Sequence, residues 1–337
     1  MPDLLAINLA LFLIGLVIII KSSDLFLDKA IWIARVYKIS ELVIGSTLVS
    51  LCTTLPEMVS SITAAAQGSG DMAVGNAVGS VICNTGLILG ILLLFTTAAI
   101  SRELFMLRGV FMLGTLTIGY VAITSPAETL LITRGEGVIF LVVLSIYLVV
   151  NYYESLHGVV LPLPSSQPAE PATEGCRPDR SARRLASQLA TFLMAALGVV
   201  FGAWLLITFG QRLARNIGIS EAVVSLVFIS LGTSLPELFT AIAAIRKKAQ
   251  NISVGNIFGA NILNMSLVVG ASATIVPLQP RDGFLRSIDI PFALAFGIVA
   301  FSFGVVRARI GRTTGIMLLL LYLVYLSSML FTGRIGV

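Results

Sequence analysis

Ser50, Thr53, Thr54 and Glu57 stand at i, i+3, i+4 and i+7, and Ser230, Thr233, Ser234 and Glu237 repeat those spacings 180 positions later. On a helix each set falls on one face. Ser60 and Ser61 extend the first stripe by a turn. Downstream, Asn76, Ser80 and Asn84 lie at i, i+4 and i+8, and Asn256 and Asn264 recur in the second copy. All of these groups offer oxygen, and none offers sulfur or imidazole. Carboxylate, hydroxyl, amide and carbonyl oxygens suit hard cations such as Ca²⁺, Na⁺ or Mg²⁺ rather than zinc or copper. His157 is the single histidine of the chain, which excludes a buried histidine relay.

A proline precedes each glutamate. Pro56 has no N–H to give the carbonyl of Cys52 and crowds it, and Pro236 does the same to Gly232. Local unwinding is expected to free carbonyls near Thr53 and Thr233, which membrane-depth backbone tolerates where it lines a cavity or binds ions. Gly75, Gly79, Gly255 and Gly259 would let neighbouring helices approach closely. A Ser/Thr stripe alone more often joins helices than binds ligands. A carboxylate inside an apolar run is a functional group by default. Two of them, each after a proline, favour an ion site.

The elements that must carry these stripes are membrane spans. Apolar residues make up 57% of the 337 and charged residues 12%, about half the soluble norm. Ten blocks are near the ~20 residues that cross hydrocarbon: roughly 4–21, 41–65, 72–98, 107–124, 136–152, 188–209, 221–245, 252–277, 288–306 and 314–332. The first lacks a basic start and a small-residue cleavage site, so it is expected to stay as a long helix running on through Trp32. With the N-terminus outside, fifteen Lys and Arg, Arg108 among them, fall on inner segments and six on outer ones. The positive-inside tendency therefore places both termini outside, in a cytoplasmic membrane. The net charge of +5 carries no argument for nucleic acid. Three cysteines make no disulfide framework; Cys52 and Cys83 read as small core residues.

Residues 39–90 and 219–270 share 20 identities in 52 positions without a gap, with Pro, Glu, Asn and Gly in register. The chain is a duplication. Its copies begin at the second and seventh spans, five apart, so they cross the membrane in opposite directions. The expected fold is an all-α integral membrane protein of two inverted five-helix repeats, with helices 2 and 7 broken by proline at the midplane, an architecture typical of transporters. The halves are 1–157 and 188–337. Residues 158–187, rich in Pro, Ser and charge, read as a cytoplasmic linker. Ser40–Glu41 and Ser220–Glu221 look like helix starts, Asp71 and Asn251 like caps, Lys21 and Asp24 like an interfacial pair, and Arg246 to Lys248 like a topology anchor.

The motifs "TTLPE" with "GNAVGSVICN", and "GTSLPE" with "GNIFGANILN", resemble the paired alpha-repeats of the calcium/cation antiporter superfamily, and most nearly its prokaryotic sodium/calcium exchangers. The resemblance covers essentially the whole chain. It implies that Glu57 and Glu237 bind Ca²⁺ and that Thr53 and Thr233 contribute mainly carbonyls. Thr54, Ser234, Ser80 and the carbonyls of Ser50 and Ser230 would belong to flanking Na⁺ sites, with Asn84 and Asn264 lining the middle. It implies alternating access as the first and sixth spans slide, with no cofactor and no obligatory protein partner. Where many relatives have Ser and Asp in the eighth span, this chain has Ala260 and Asn264, and Cys52 replaces a glycine before the first motif.

Two ionised glutamates carry −2, which one Ca²⁺, two Na⁺ or two H⁺ neutralise; three Na⁺ would leave +1 in low dielectric. A stoichiometry nearer two Na⁺ per Ca²⁺ is therefore expected, or partial replacement of Na⁺ by protons, which compete for the same carboxylates. The alternatives are a proton-coupled exchanger and a cation channel; tight ligation between broken helices disfavours the channel. The lack of a Ser–Lys pair, an Asp pair or ligating histidines argues against an intramembrane enzyme.

Overall fold

The computed structural model describes residues 2–99, 101–124, 131–157, 182–216, 232–280 and 283–331. Long runs of Leu, Ile, Val and Ala without interior proline give helices α1 (Pro2–Tyr37), α5 (Arg102–Thr124), α6 (Arg134–His157), α7 (Ala182–Asn216) and α11 (Arg312–Phe331). Helix α4 (Gly70–Phe95), α9 (Gln250–Ile275) and α10 (Leu285–Arg307) are continuous but contain wide, π-helical turns. The second span is split into α2 (Glu41–Thr53) and α3 (Leu55–Ala66), bent by 46°. Helix α8 (Leu235–Lys247) begins just before Pro236.

Among the described residues, eight helices are long and apolar enough to cross a membrane, and the bent α2–α3 pair makes a ninth. The first part of the expected seventh span, 221–231, lies outside the described residues, as does Ser220–Glu221. Helices α9 and α4 are the most enclosed, and the outer helices keep large apolar side chains such as Val17, Leu197 and Leu320 on their surfaces, where lipid is their solvent.

Two apolar clusters organise the packing. One joins α1 to α7 and reaches residues of α2, α8 and α9; the other joins α4, α5, α6, α9, α10 and α11. The α1–α7 seam is close because Gly15, Gly198 and Gly202 sit on it: a Cβ at Gly202 would meet Ile19 at 2.7 Å. Small residues at such seams replace the hydrophobic drive that lipid removes. Helix α1, at 36 residues, runs about 54 Å, well beyond the hydrocarbon thickness. Outside the helices, β1 (Ala98–Ala99) pairs antiparallel with β2 (Arg309–Ile310), and Ile132 bridges Leu278.

Several local expectations change. Ser40 precedes α2 but its side chain makes no capping hydrogen bond. Ser69 and Ala249, not Asp71 and Asn251, occupy the cap positions of α4 and α9; the latter pair lie in the first turns. Asp24 pairs with Arg246 at 3.1 Å rather than with Lys21, and Lys247 pairs with Asp28 at 2.8 Å, because the end of α8 abuts α1. Of the linker expected over 158–187, residues 182–187 belong to α7 and residues 158–181 lie outside the described residues. Arg108, expected on an inner segment, is fully buried within α5.

Candidate functional site

The break between α2 and α3 falls at Thr54 (φ −81°, ψ −2°), with Pro56 in the first turn of α3 and Glu57 directly after it. Its counterpart is Ser234 (φ −86°, ψ 7°) before Leu235, Pro236 and Glu237 of α8. Each glutamate thus occupies a helix N-terminus, where the dipole and unused N–H groups favour negative charge. The unwinding is slight. Thr54 is the one non-helical residue of the first break, and Gly232 O, expected to be freed by Pro236, accepts from the Leu235 N–H at 3.2 Å.

Both breaks are tied across the repeats in the same way. The Thr53 hydroxyl donates to Asn256 Oδ1 (3.1 Å), and the Thr233 hydroxyl donates to Asn76 Oδ1 (3.3 Å). Asn76 Nδ2 in turn donates to Ser61 Oγ (2.9 Å) and to the Glu57 carbonyl (3.3 Å). The Ser50 hydroxyl is spent on Thr47 O at 3.1 Å. Helix α9 approaches this face because Gly259 lacks a Cβ, which would otherwise meet Ser46 O and Ser50 Oγ within 2.6 Å. Gly255 makes the same allowance toward Leu42; Gly75 and Gly79 meet nothing within 4 Å among the described residues.

Several buried polar atoms of the expected site residues are orphaned. Both carboxylate oxygens of Glu57 and of Glu237, and the hydroxyls of Thr54, Ser80 and Ser234, are buried without a hydrogen-bond partner among the described residues. So are both polar side-chain atoms of Asn84 and of Asn264. The Ser80 and Ser234 hydroxyls face the Glu57 carboxylate, the Thr53 hydroxyl faces Glu237, and the two carboxylates sense each other's charge. A buried, unpaired carboxylate costs many kcal/mol unless neutralised. Four carboxylate oxygens with hydroxyl and amide oxygens around them are the donor set that a hard cation of six to eight oxygen ligands requires. No group of three or more His, Cys, Asp or Glu stands ready for a metal among the described residues, so charge comes from the two glutamates alone.

Of the expected site residues, the structure sets Ser80, Ser234 and Glu237 about Glu57 and Thr53 beside Glu237, ties Thr233 to Asn76, and buries Ser50, Thr54, Asn84 and Asn264. Ser230 lies outside the described residues. Ala260 is fully buried and brings no hydroxyl opposite Ser80. Cys83 is a buried core residue, as expected, with Ser234 near its thiol. The wide turn Cys83–Ile88 begins on Cys83. A second wide turn, Asn264–Val269, begins on Asn264 itself. Unforeseen too is Asn261, which donates to Thr85 Oγ1 at 2.7 Å one turn from Asn264.

The family model of the sodium/calcium exchanger protein matches residues 7–153 and 187–331. The chain belongs to the sodium/calcium exchanger family. Two relatives are the inner membrane protein YrbG of Escherichia coli K12, 33% identical over 80% of each chain, and the sodium/calcium exchanger MaX1 of Methanosarcina acetivorans, 27% identical over 96% of this chain and 98% of that one. Among solved structures, the sodium-calcium exchanger NCX_Mj soaked with Na⁺ and Sr²⁺ superposes with a TM-score of 0.80 at 25% identity, covering 96% of this chain and 99% of that one. This family member is accordingly a multi-pass membrane transporter whose business is cation exchange, and relatives such as MaX1 and NCX_Mj are named as exchangers.

Proposed function

We propose that the protein is a secondary-active antiporter that exchanges Ca²⁺ for Na⁺ across the cytoplasmic membrane by alternating access around Glu57 and Glu237. The observation that carries this reading is the pair of fully buried carboxylates without hydrogen-bond partners, each at the N-terminus of a proline-started helix. Ca²⁺ is the cargo; Thr54, Ser80, Ser234 and the carbonyls of Thr53 and Thr233 complete the ligands for it and for Na⁺, with Ser50 and Ser230 at the flanks and Asn84 and Asn264 in the middle. The fold is ten spans in two inverted five-helix repeats with both chain ends outside. Supporting the inversion, the Ala98–Ile310 pairing and the Leu278–Ile132 bridge link equivalent connections of the two halves, 98 and 278 being 180 apart. The separate apolar cluster around α1 and α7 supports movement of that pair as a unit against the remainder.

Proton coupling is the second reading, favoured by the neutral Asn264 and by the missing hydroxyl at Ala260. Radiolabelled Ca²⁺ uptake into proteoliposomes under imposed Na⁺ or H⁺ gradients decides between them. Uptake that follows the outward Na⁺ gradient supports Na⁺ coupling; uptake that ignores Na⁺ and follows H⁺ supports the second reading; Ca²⁺ that merely equilibrates under both sinks antiport.

A further inference from the structure

Arg108 lies six residues into α5, about 9 Å from its start, with no exposed side-chain surface. Its guanidinium is almost fully engaged. Nε donates to Ser46 Oγ (2.8 Å), Nη1 to Leu104 O (2.6 Å), and Nη2 to both Asn151 Oδ1 (2.7 Å) and Glu154 Oε2 (3.1 Å). The Tyr147 hydroxyl donates to the Ser46 carbonyl at 2.8 Å, and Asn151 Nδ2 donates to Tyr147 O at 2.7 Å. Side chains of α5 and α6 therefore converge on one hydroxyl and one carbonyl of α2.

Ser46 belongs to the wide turn Gly45–Val49, which the Ser50 N–H closes by donating five residues back to Gly45 O. Ser50 is one turn further along the face that carries Thr53, Thr54 and Glu57. The turn is held on its other side by the backbone contact of α9 at Gly259. A wide turn has poorer hydrogen bonding than α-helix and persists where the surroundings over-determine it. Nothing about burial requires a cation here; an apolar residue of similar volume is often neutral or better for stability. The second half is built differently: at matching depth in α10 the buried ionisable group is Asp289, whose Oδ1 accepts from Tyr325.

We propose that Arg108 is a positioning residue that fixes the wide turn of α2 and, through it, the Ser50 end of the ion-binding face, so that it tunes Na⁺ rather than Ca²⁺. The Na⁺ part rests on the function proposed above. Misplacing the turn perturbs the flank at Ser50, whereas Glu57 and Glu237 lie beyond the break. Outer residues that orient ligands alter metal affinity about 10–100-fold when removed.

The test compares wild type, Arg108→Gln, Arg108→Lys and Ser46→Ala in proteoliposomes, reading half-saturating Na⁺ and Ca²⁺ for exchange separately. Arg108→Gln and Ser46→Ala are expected to raise half-saturating Na⁺ about tenfold, with the Ca²⁺ value changed less than about twofold. Arg108→Lys recovers part of the shift, because an ammonium reaches one acceptor but not both. Ser46→Ala removes a single hydroxyl, so it carries the test if Arg108→Gln fails to fold. Unchanged half-saturating Na⁺ in Ser46→Ala, or an equal shift for both ions, overturns the proposal. A wild type without Na⁺-driven uptake refutes the functional reading instead. The positioning role is then read from amide deuterium exchange, which must quicken over residues 45–53 in Arg108→Gln and stay unchanged in α11; unaltered exchange there overturns it.

Discussion

Glu57 and Glu237 differ from ordinary buried carboxylates because their oxygens find no hydrogen-bond partner among the described residues. Removing one charge relieves repulsion and desolvation while deleting half of the cargo's counter-charge. Glu57→Gln and Glu237→Gln are therefore each expected to abolish Ca²⁺ uptake, yet to unfold at the same or a higher temperature than wild type in buffer without Ca²⁺ or Na⁺. Added Ca²⁺ should stabilise the wild type, by about 2.7 kcal/mol at one hundred times its dissociation constant, and leave both variants unmoved. Thermal unfolding in detergent with and without Ca²⁺ checks this. A variant still stabilised by Ca²⁺ would remove that glutamate from the site.

At the scale of elements, the site is made by helices that touch backbone to backbone. A Cβ at Gly45 would stand 2.1 Å from the Ile252 carbonyl, and one at Gly255 would stand 2.3 Å from that of Leu42, so α2 and α9 meet with no side chain between them. Backbone offers no rotamer to swing away. Gly45→Ala is expected to cost about 1–3 kcal/mol of stability and to impair transport, whereas Ala at Gly283, where nothing lies within 4 Å, should leave both unchanged. Paired unfolding midpoints of the two variants decide the point. The motif spacing foretold which residues share a face, because the ligand stripe obeys helical period up to the proline. It did not foretell the wide turns Cys83–Ile88 and Asn264–Val269, since no residue type announces them. Arg108 did leave a sign, an arginine inside the apolar run from Leu104 to Leu113, and only the fold supplied its partners Ser46, Asn151 and Glu154.

For the whole molecule the central quantity is charge. A −2 site that exchanges one Ca²⁺ for two monovalent ions moves no net charge; three Na⁺ per Ca²⁺ would move one. With Asn264 neutral, exchange is expected to generate no current in voltage-clamped proteoliposomes, and a clear inward-positive current during Na⁺-driven Ca²⁺ extrusion would refute this stoichiometry. Protons add to the same carboxylates that Ca²⁺ needs ionised, so half-saturating Ca²⁺ is expected to rise as pH falls and to level off as pH rises. A flat pH profile of Ca²⁺ half-saturation would show that protons stay out of the site.

The sequence alone determined that the chain is a membrane transporter built by duplication, and it singled out the residues proposed for the cation site. Apolar block length, helical period and a gapless repeat are local or self-referential, and they survive without coordinates. The tertiary structure decided what depends on contact between distant segments: the crossed Thr53–Asn256 and Thr233–Asn76 ties, the orphaning of the glutamates, and the burial of Arg108 against α2. In a bilayer these contacts rest on packing and hydrogen bonding rather than on burial from water, and apolar patterning carries no trace of either.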